Sequence, residues 1–379
     1  MTLRVLVAPS GFKESLSAEE VAEQIRAGVR RALPDAAIRT APLPDGGEGF
    51  ARTLVGATGG TLHDVVVSGP VGEPVEAYFG FLGGAGERMA VLEMAAAAGL
   101  RHVPAGRRDP LRTTTYGVGE LIRAALDAGA ERLLVGCGDS GTNDAGAGMA
   151  QALGVRLLDG SGMELSRGGA ALAGLARIDL AQREPRIGSV PIEVACNWRN
   201  LLCGPDGVAR VFGPQKGADP EQVGRLEYGL DRWAGVVRDV TGHDCSAVSG
   251  AGAAGGTAFA AMALMGAQVR SGIGLVLELV GFGAALPGAD LVVTGEGSLD
   301  EQSLAGKAPV GVARAATEAG VPVVAVAGRC LLSPTRLRDA GIRAAYPLSD
   351  LEPDVARSMA GAPGLLTRLG LRIAGEWLR

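Results

Sequence analysis

The amino-acid sequence predicts an α/β protein of two domains: a discontinuous doubly wound, Rossmann-like domain with a second α/β domain inserted into it. Three observations lead there. At 379 residues the chain exceeds the roughly 100–200 residues of one ordinary domain. Both ends alternate short apolar runs with amphipathic helical stretches, the pattern of a parallel sheet covered by helices. Between about residues 61 and 284 the texture changes to short strands punctuated by Gly and Pro. Residues 1–60 and 285–379 are therefore expected to form one domain and 61–284 the insert. The functional site is expected where the two meet.

The elements follow in order. RVLVAPS is apolar throughout and reads as a strand buried on both faces. SLSAEEVAEQIRAGVRRAL has helical periodicity, with Ser17 as N-cap and Glu20 three residues later completing a capping box. A strand AIRTAPL, a loop PDGGEG and a helix FARTLVGAT come next. From residue 63 to 95, three short strands with Gly/Pro turns predict an antiparallel segment. A helix around GVGELIRAALDAG, the strand RLLVG and a helix through 144–153 follow. Strands are expected near 155–158, 190–196 and 208–212, and a helix over about 219–240. After a Gly-rich segment and its helix, βα alternation resumes with ADLVVTG, VPVVAVAG and RAAYPL, and a last amphipathic helix runs to Arg379.

Composition excludes several classes. Apolar residues at 47% and charged residues at 20% are those of an ordinary folded protein. A net charge of −5 leaves no basic excess to neutralise nucleic-acid phosphates. The five cysteines are scattered without a CxxC pair, so no zinc site is expected. With no secretory leader ahead of Arg4 and Val5, a reduced, cytoplasmic setting is expected. The longest uncharged run, 245–269, is mostly Gly, Ala and Ser and is too weakly apolar to span a membrane.

Two counts point to function. Glycine occurs 60 times, about twice its usual share of ~7%. Lysine occurs only at Lys13, Lys216 and Lys307, and 33 of the 36 basic residues are arginine. A chain that uses arginine almost everywhere retains lysine where a compact point charge is needed. All three sit in loop-like, Gly-rich sequence: GFKESLS, GPQKGA and LAGKAPVG. Carboxylates occupy similar loops: Asp45 and Glu48 in PDGGEG, Asp144 in TNDAG, and Glu296 with Asp300 in TGEGSLDEQS. The last pair follows a strand, at the end where doubly wound sheets bind ligands. Such carboxylates hold Mg²⁺ against phosphates or accept a proton from an attacking hydroxyl.

The segment LLVGCGDSGTNDAGAG contains GxGxxG at Gly136, Gly138 and Gly141, with Asp159 about twenty residues on, so a dinucleotide-binding oxidoreductase is the rival reading. A second match lies at Gly250, Gly252 and Gly255 without a preceding strand. What both share is backbone N–H groups able to approach an anion. The GDSG at 138–141 echoes a serine-protease segment, but His63, His102 and His243 sit in ordinary loops. No Walker A motif surrounds Lys307. Lysines and carboxylates spread over Gly-rich loops favour phosphoryl transfer, which needs positioning and charge neutralisation.

On these residues the chain resembles the type-1 glycerate kinase family from end to end. The matching segments are VLVAPSGFKESLSA, LPDGGEGF, SGPVGEPVEA, LEMAAAAGL, RDPLRTTTYGVGELI, GDSGTNDAGAGMAQALG, RVFGPQKGA, GAGAAGG and TGEGSLDEQSLAGKAPVGVA. The resemblance implies an ATP-dependent kinase converting D-glycerate to 2-phosphoglycerate on a two-domain α/β fold. ATP, Mg²⁺ and a small hydroxy acid are then the expected ligands. Lys13, Lys216 and Lys307 would neutralise phosphate charge. Asp45 and Glu48, or Glu296 and Asp300, would supply metal ligation or the general base, with Asp45, Glu296 and Asp300 as the metal set. The loops carrying Gly138, Ser140, Thr142, Asn143 and Asp144, and Gly250, Gly252, Gly255 and Gly256, would cradle phosphates.

The chain also departs from the family pattern. Ser10 and Gly11 stand in a segment that usually reads APDSFK, and Asn197 replaces an aspartate. Asp139 appears where no acid is usual, Ser298 replaces the arginine of GEGRxD, and Phe50 ends the DGGEG loop. Two carboxylates and one arginine are thus missing and one carboxylate is added. The expectation is weakened metal binding, weakened recognition of the glycerate carboxylate and weak activity on D-glycerate. The alternatives are a shifted polyol or hydroxy-acid substrate, or ligand binding without turnover.

Overall fold

Thirteen strands are found among the described residues: β1 (Arg4–Pro9), β2 (Ala37–Thr40), β3 (Thr61–Ser68), β4 (Pro74–Phe81), β5 (Met89–Glu93), β6 (Arg132–Gly136) and β7 (Arg156–Leu158). They continue as β8 (Arg177–Asp179), β9 (Ile192–Cys196), β10 (Gln268–Ser271), β11 (Leu291–Leu299), β12 (Val323–Cys330) and β13 (Ala344–Pro347). The structure is a computed structural model and describes residues 2–12, 15–44, 46–84, 88–197, 200–304 and 306–378. The expected site residues Lys13 and Asp45 lie outside the described residues. The fold is α/β, with one parallel and one mixed sheet, and divides into two compact units, 1–45 with 273–379, and 46–272.

The first unit holds a five-stranded sheet in the order β13-β12-β11-β1-β2, parallel throughout. β1 lies inside the sheet, which explains why RVLVAP is buried at every position after its first residue. The helix Ala18–Ala32 begins at the expected capping box, Ser17 and Glu20 each bonding the other's backbone amide. Its apolar stripe, Val21, Ile25 and Val29, packs with Leu366, Leu369 and Ile373 of the C-terminal helix Val355–Trp377 against Val5, Val7, Val293 and Val324 of the sheet. The two helices approach closely because Gly28 faces Gly370. A Cβ on Gly28 would lie 2.9 Å from the Gly370 Cα and collide with the Thr367 carbonyl.

The second unit holds a six-stranded sheet in the order β10-β9-β6-β5-β4-β3. β3, β4 and β5 pair antiparallel, as the Gly/Pro-punctuated sequence predicts, and β5, β6, β9 and β10 pair parallel. β7 and β8 form a separate antiparallel pair. The long helix Pro220–Thr241 starts at a second capping box, Asp219 with Gln222. No helix among the described residues is long and apolar enough to cross a membrane.

Several expectations need correction. The first boundary falls at 45/46 rather than 60/61, because the helix Phe50–Thr58 packs on β4 and β5 of the second unit. The other falls at 272/273 rather than 284/285. There Ile273 fills the space left by Gly311, a residue of the first unit. The expected strand at 208–212 is a helix, Val208–Phe212. Its burial runs in adjacent pairs, Val208 and Ala209 in, Arg210 and Val211 out, where a strand would alternate. A short apolar run carries too little periodicity to separate the two. The helix expected through 144–153 begins only at Ala147, since the preceding residues are committed to a tight loop. β10 was not anticipated.

Candidate active site

In the second unit, Lys216 closes a single 3-10 turn, Pro214–Lys216, which Pro214 starts and Gly217 ends at φ +102°. That turn sends the lysine inward to 2% exposure. Its Nζ donates to Ser140 Oγ at 2.8 Å, to the Thr142 carbonyl at 2.7 Å and to Asn143 Oδ1 at 3.2 Å. None of these acceptors is charged. Burial therefore pulls the ammonium down to about 7, with the nearby Asp144 opposing the shift.

Asp144 is fully buried and organises the loop from within. Its carboxylate accepts from the Thr115 amide at 2.7 Å, the Thr115 hydroxyl at 2.9 Å, the Thr114 hydroxyl at 3.3 Å and the amides of Gly146 and Gly148, each at 3.2 Å. Burial raises its pKa, and these hydrogen bonds counteract the rise. The amides of Gly146 and Gly148 are thus turned inward to Asp144. Thr142 Oγ1 and Asn143 Nδ2, both buried, have no hydrogen-bond partner among the described residues. Since Asn143 Oδ1 faces the ammonium, its amide nitrogen remains as a donor beside Lys216.

The second Gly-rich loop is stitched to the first. Ala254, Gly255 and Gly256 have φ of +54°, +69° and +86°, a left-handed kink at the start of the helix Ala253–Met265. A Cβ on Gly255 would collide with the Thr142 carbonyl and lie 3.2 Å from Lys216 Nζ. The Ala145 amide donates to the Gly255 carbonyl at 3.0 Å, and Trp233 Nε1 donates to the Ala145 carbonyl at 3.2 Å. Gly252 is needed for a different contact, since its Cβ would collide with the Leu201 carbonyl. Gly250, at φ +93°, turns the chain before that point. The structure thus brings Ser140, Thr142, Asn143, Asp144, Lys216, Gly255 and Gly256 together.

Glu48 belongs to a neighbouring arrangement. It is exposed and pairs with Arg101, while its amide donates to Asp139 Oδ2 at 3.0 Å. Asp139, the acid added relative to the family pattern, adopts φ +49° and caps the 46–49 turn. Glu93, buried and unforeseen, holds the same turn by accepting from the Gly49 and Ala51 amides at 3.0 and 2.9 Å and from the Tyr78 hydroxyl at 2.7 Å. Burial raises the pKa of Glu93, and its hydrogen bonds oppose this. Phe50, the other departure here, is fully buried; a Cβ on Gly136 would lie 2.6 Å from its ring.

The first unit carries a second cluster at the carboxyl end of its sheet. Glu296 is 7% exposed, and Lys307, which begins the helix Ala308–Glu318, brings its Nζ to 3.9 Å from the Glu296 carboxylate. Ser10 follows β1; its amide donates to the Gly295 carbonyl at 2.8 Å and its hydroxyl to the same oxygen at 3.1 Å. Asp300 accepts from the Ser298 hydroxyl at 3.2 Å and from the Gln302 amide at 3.0 Å, so both its oxygens serve the local turn. Among the described residues, no three His, Cys, Asp or Glu side chains gather as a metal cluster.

The dinucleotide fingerprint dissolves on inspection. The helix after Gly141 starts only at Ala147, too late to point its N-terminus at a pyrophosphate held by these glycines. Gly138 is required by the backbone of Gly47, 2.7 Å from where a Cβ would stand. Asp159 caps its own turn, accepting from the Ser161 and Met163 amides.

The model of the glycerate kinase family matches residues 5–378. The chain is 48% identical over 346 residues to a glycerate kinase of Bacillus subtilis (strain 168), covering 91% of this chain and 90% of the relative. It is 44% identical over 326 residues to the glycerate 2-kinase of Escherichia coli (strain K12), covering 86% and 85%. A solved structure from Salmonella typhimurium LT2, described as a glycerate kinase 2, superposes with a TM-score of 0.85 at 42% identity, covering 99% of this chain and 98% of that one. The chain belongs to the glycerate kinase family.

Proposed function

We propose that this protein is an ATP-dependent kinase that phosphorylates D-glycerate at its 2-hydroxyl. The substrate follows from the relatives' names. The chemistry rests on one observation: Lys216 and Lys307, the two described lysines of a chain with only three, both stand against polar loops, one fully buried and one beside Glu296.

We further infer that the first unit is a doubly wound, Rossmann-like domain interrupted by the second. Counting only its own strands, its order is 2-1-3-4-5, reversing between β1 and β11. Ligands of such sheets bind beyond the carboxyl ends at that reversal, and Ser10 and Glu296 mark the place. Lys307 there supplies a compact positive charge for a phosphate. Lys216, Asn143 Nδ2 and Thr142 Oγ1 offer a second set of donors in the other unit.

Mg²⁺ commonly binds through one or two carboxylates, substrate phosphates and water. Glu296 fits that role, being buried with Lys307 beside it; Asp300 is committed to its turn. When bound, the ion neutralises charge on the polyphosphate. The chain's own contribution is to fix the γ-phosphoryl group and the hydroxyl in line. The oxygen–phosphorus bond to ADP then breaks as the bond to the substrate oxygen forms, and the hydroxyl proton leaves to water. The test is ADP release with D-glycerate against a panel of related acids and polyols. Release strictly dependent on D-glycerate supports the reading, and release with none of them contradicts it.

A further inference from the structure

Ser298 stands where the family motif places arginine, yet a guanidinium is present at the same spot from the next strand. In the parallel pairing of β11 with β12, Ser298 is the register partner of Arg329. Partners in neighbouring strands lie about 4.8 Å apart with their side chains on the same face. Arg329 Nε donates to Ser298 Oγ at 3.1 Å, and that hydroxyl donates onward to Asp300 Oδ2 at 3.2 Å. Glu296, two residues before Ser298, shares this face, while Leu299 points to the opposite side and is fully buried. The guanidinium is thus anchored by its Nε alone. Its two terminal nitrogens have no hydrogen-bond or ion-pair partner among the described residues, and the side chain is exposed.

An arginine held by Nε presents a preformed two-donor fork, the geometry that matches a carboxylate. We propose that Arg329 clamps the carboxylate of the hydroxy-acid substrate, in place of an arginine at 298. This rests on the proposed kinase function and adds the residue that recognises the acid. Phosphate oxygens are the other oxyanions at this end of the sheet; Lys307 beside Glu296 is placed for those, which leaves the planar fork for the carboxylate. Glycerate recognition is then retained despite Ser298.

The test is steady-state kinetics of the full-length protein and three variants, varying D-glycerate and ATP separately. R329A should raise KM for D-glycerate by about tenfold to a hundredfold, the usual effect of losing a charge-assisted pair. KM for ATP should move little and kcat less than KM. R329K should recover little, because an ammonium lacks the fork. S298R/R329S, which moves the guanidinium one strand across, should recover most of the loss, as a merely structural role would not. An unmodified protein active on glycerate whose R329A variant keeps its glycerate KM, or shifts its ATP KM instead, overturns the clamp. An unmodified protein inert toward glycerate overturns the kinase reading itself and the clamp with it.

Discussion

The ammonium of Lys216 lies 2.7 Å from the Thr142 carbonyl oxygen, inside the protein and facing neutral acceptors only. Its pKa of about 7 in the folded chain, against an ordinary 10.5, has a consequence for stability. Between those values the unfolded chain carries a proton that the folded chain does not. Unfolding then takes up a proton, so stability rises with pH across this window. Below about 7 both states are charged, and the cost of burial is fully felt. Urea denaturation from pH 6.5 to 9.5 should show this rise in the unmodified protein and a flatter profile in K216M. Parallel profiles would refute it. An incoming phosphate needs the charged form, so kcat/KM for ATP should fall as pH rises above about 7.

Lys216→Arg and Lys307→Arg keep the charge and should still lose most turnover. The Lys216 ammonium is held by Ser140, Thr142 and Asn143 with Gly255 alongside, contacts that suit a compact charge and not a planar guanidinium. Lys307 faces Glu296 as a point charge at the start of a helix. Initial rates at saturating ATP and glycerate check this; near-normal rates in both variants would make the lysines incidental.

Gly255→Ala should destabilise the protein by about 2 kcal/mol or more. It combines a φ of +69° with a Cβ colliding with the Thr142 carbonyl. Because that carbonyl also receives the Lys216 proton, the variant should lose activity even below its melting temperature. Thermal melts paired with rates at low temperature separate the two effects, and a fully active variant would contradict the coupling.

Most of this arrangement is legible in the sequence where chemistry is local. The capping box at Ser17 and Glu20, the Gly/Pro turns between β3, β4 and β5 and the buried run of β1 depend on neighbours a few residues away. Lys216 and Lys307, rare in an arginine-rich chain, stand at a short turn and at a helix start. What the sequence does not reveal is decided by residues far apart. The role of Asp144 comes from Thr114 and Thr115, thirty residues earlier, which turn it from a phosphate-facing carboxylate into a buried hub. Arg329 acquires meaning only through its register with Ser298. The helix Phe50–Thr58 changes unit because of what it packs on, which its own periodicity cannot tell. The GxGxxG match fails because its glycines answer to Gly47 and Phe50 rather than to a ligand.

Glu296→Gln should lower kcat by about a hundredfold or more, in the range for removing a group that stabilises developing charge. It should also raise the Mg²⁺ concentration needed for half-maximal rate. Asp300→Asn, which keeps the turn's acceptor on Gln302, should cost far less. A Mg²⁺ titration of both variants checks the order, and equal losses would contradict the assignment of Glu296 as the metal-holding carboxylate.

The most direct measurement of the central claim is ³¹P NMR of the unmodified protein with ATP, Mg²⁺ and D-glycerate. The account predicts stoichiometric loss of the ATP γ-phosphate and growth of one phosphomonoester signal, that of 2-phosphoglycerate. A folded protein that leaves ATP and glycerate unchanged, or that places the phosphate on a different hydroxyl, would contradict it.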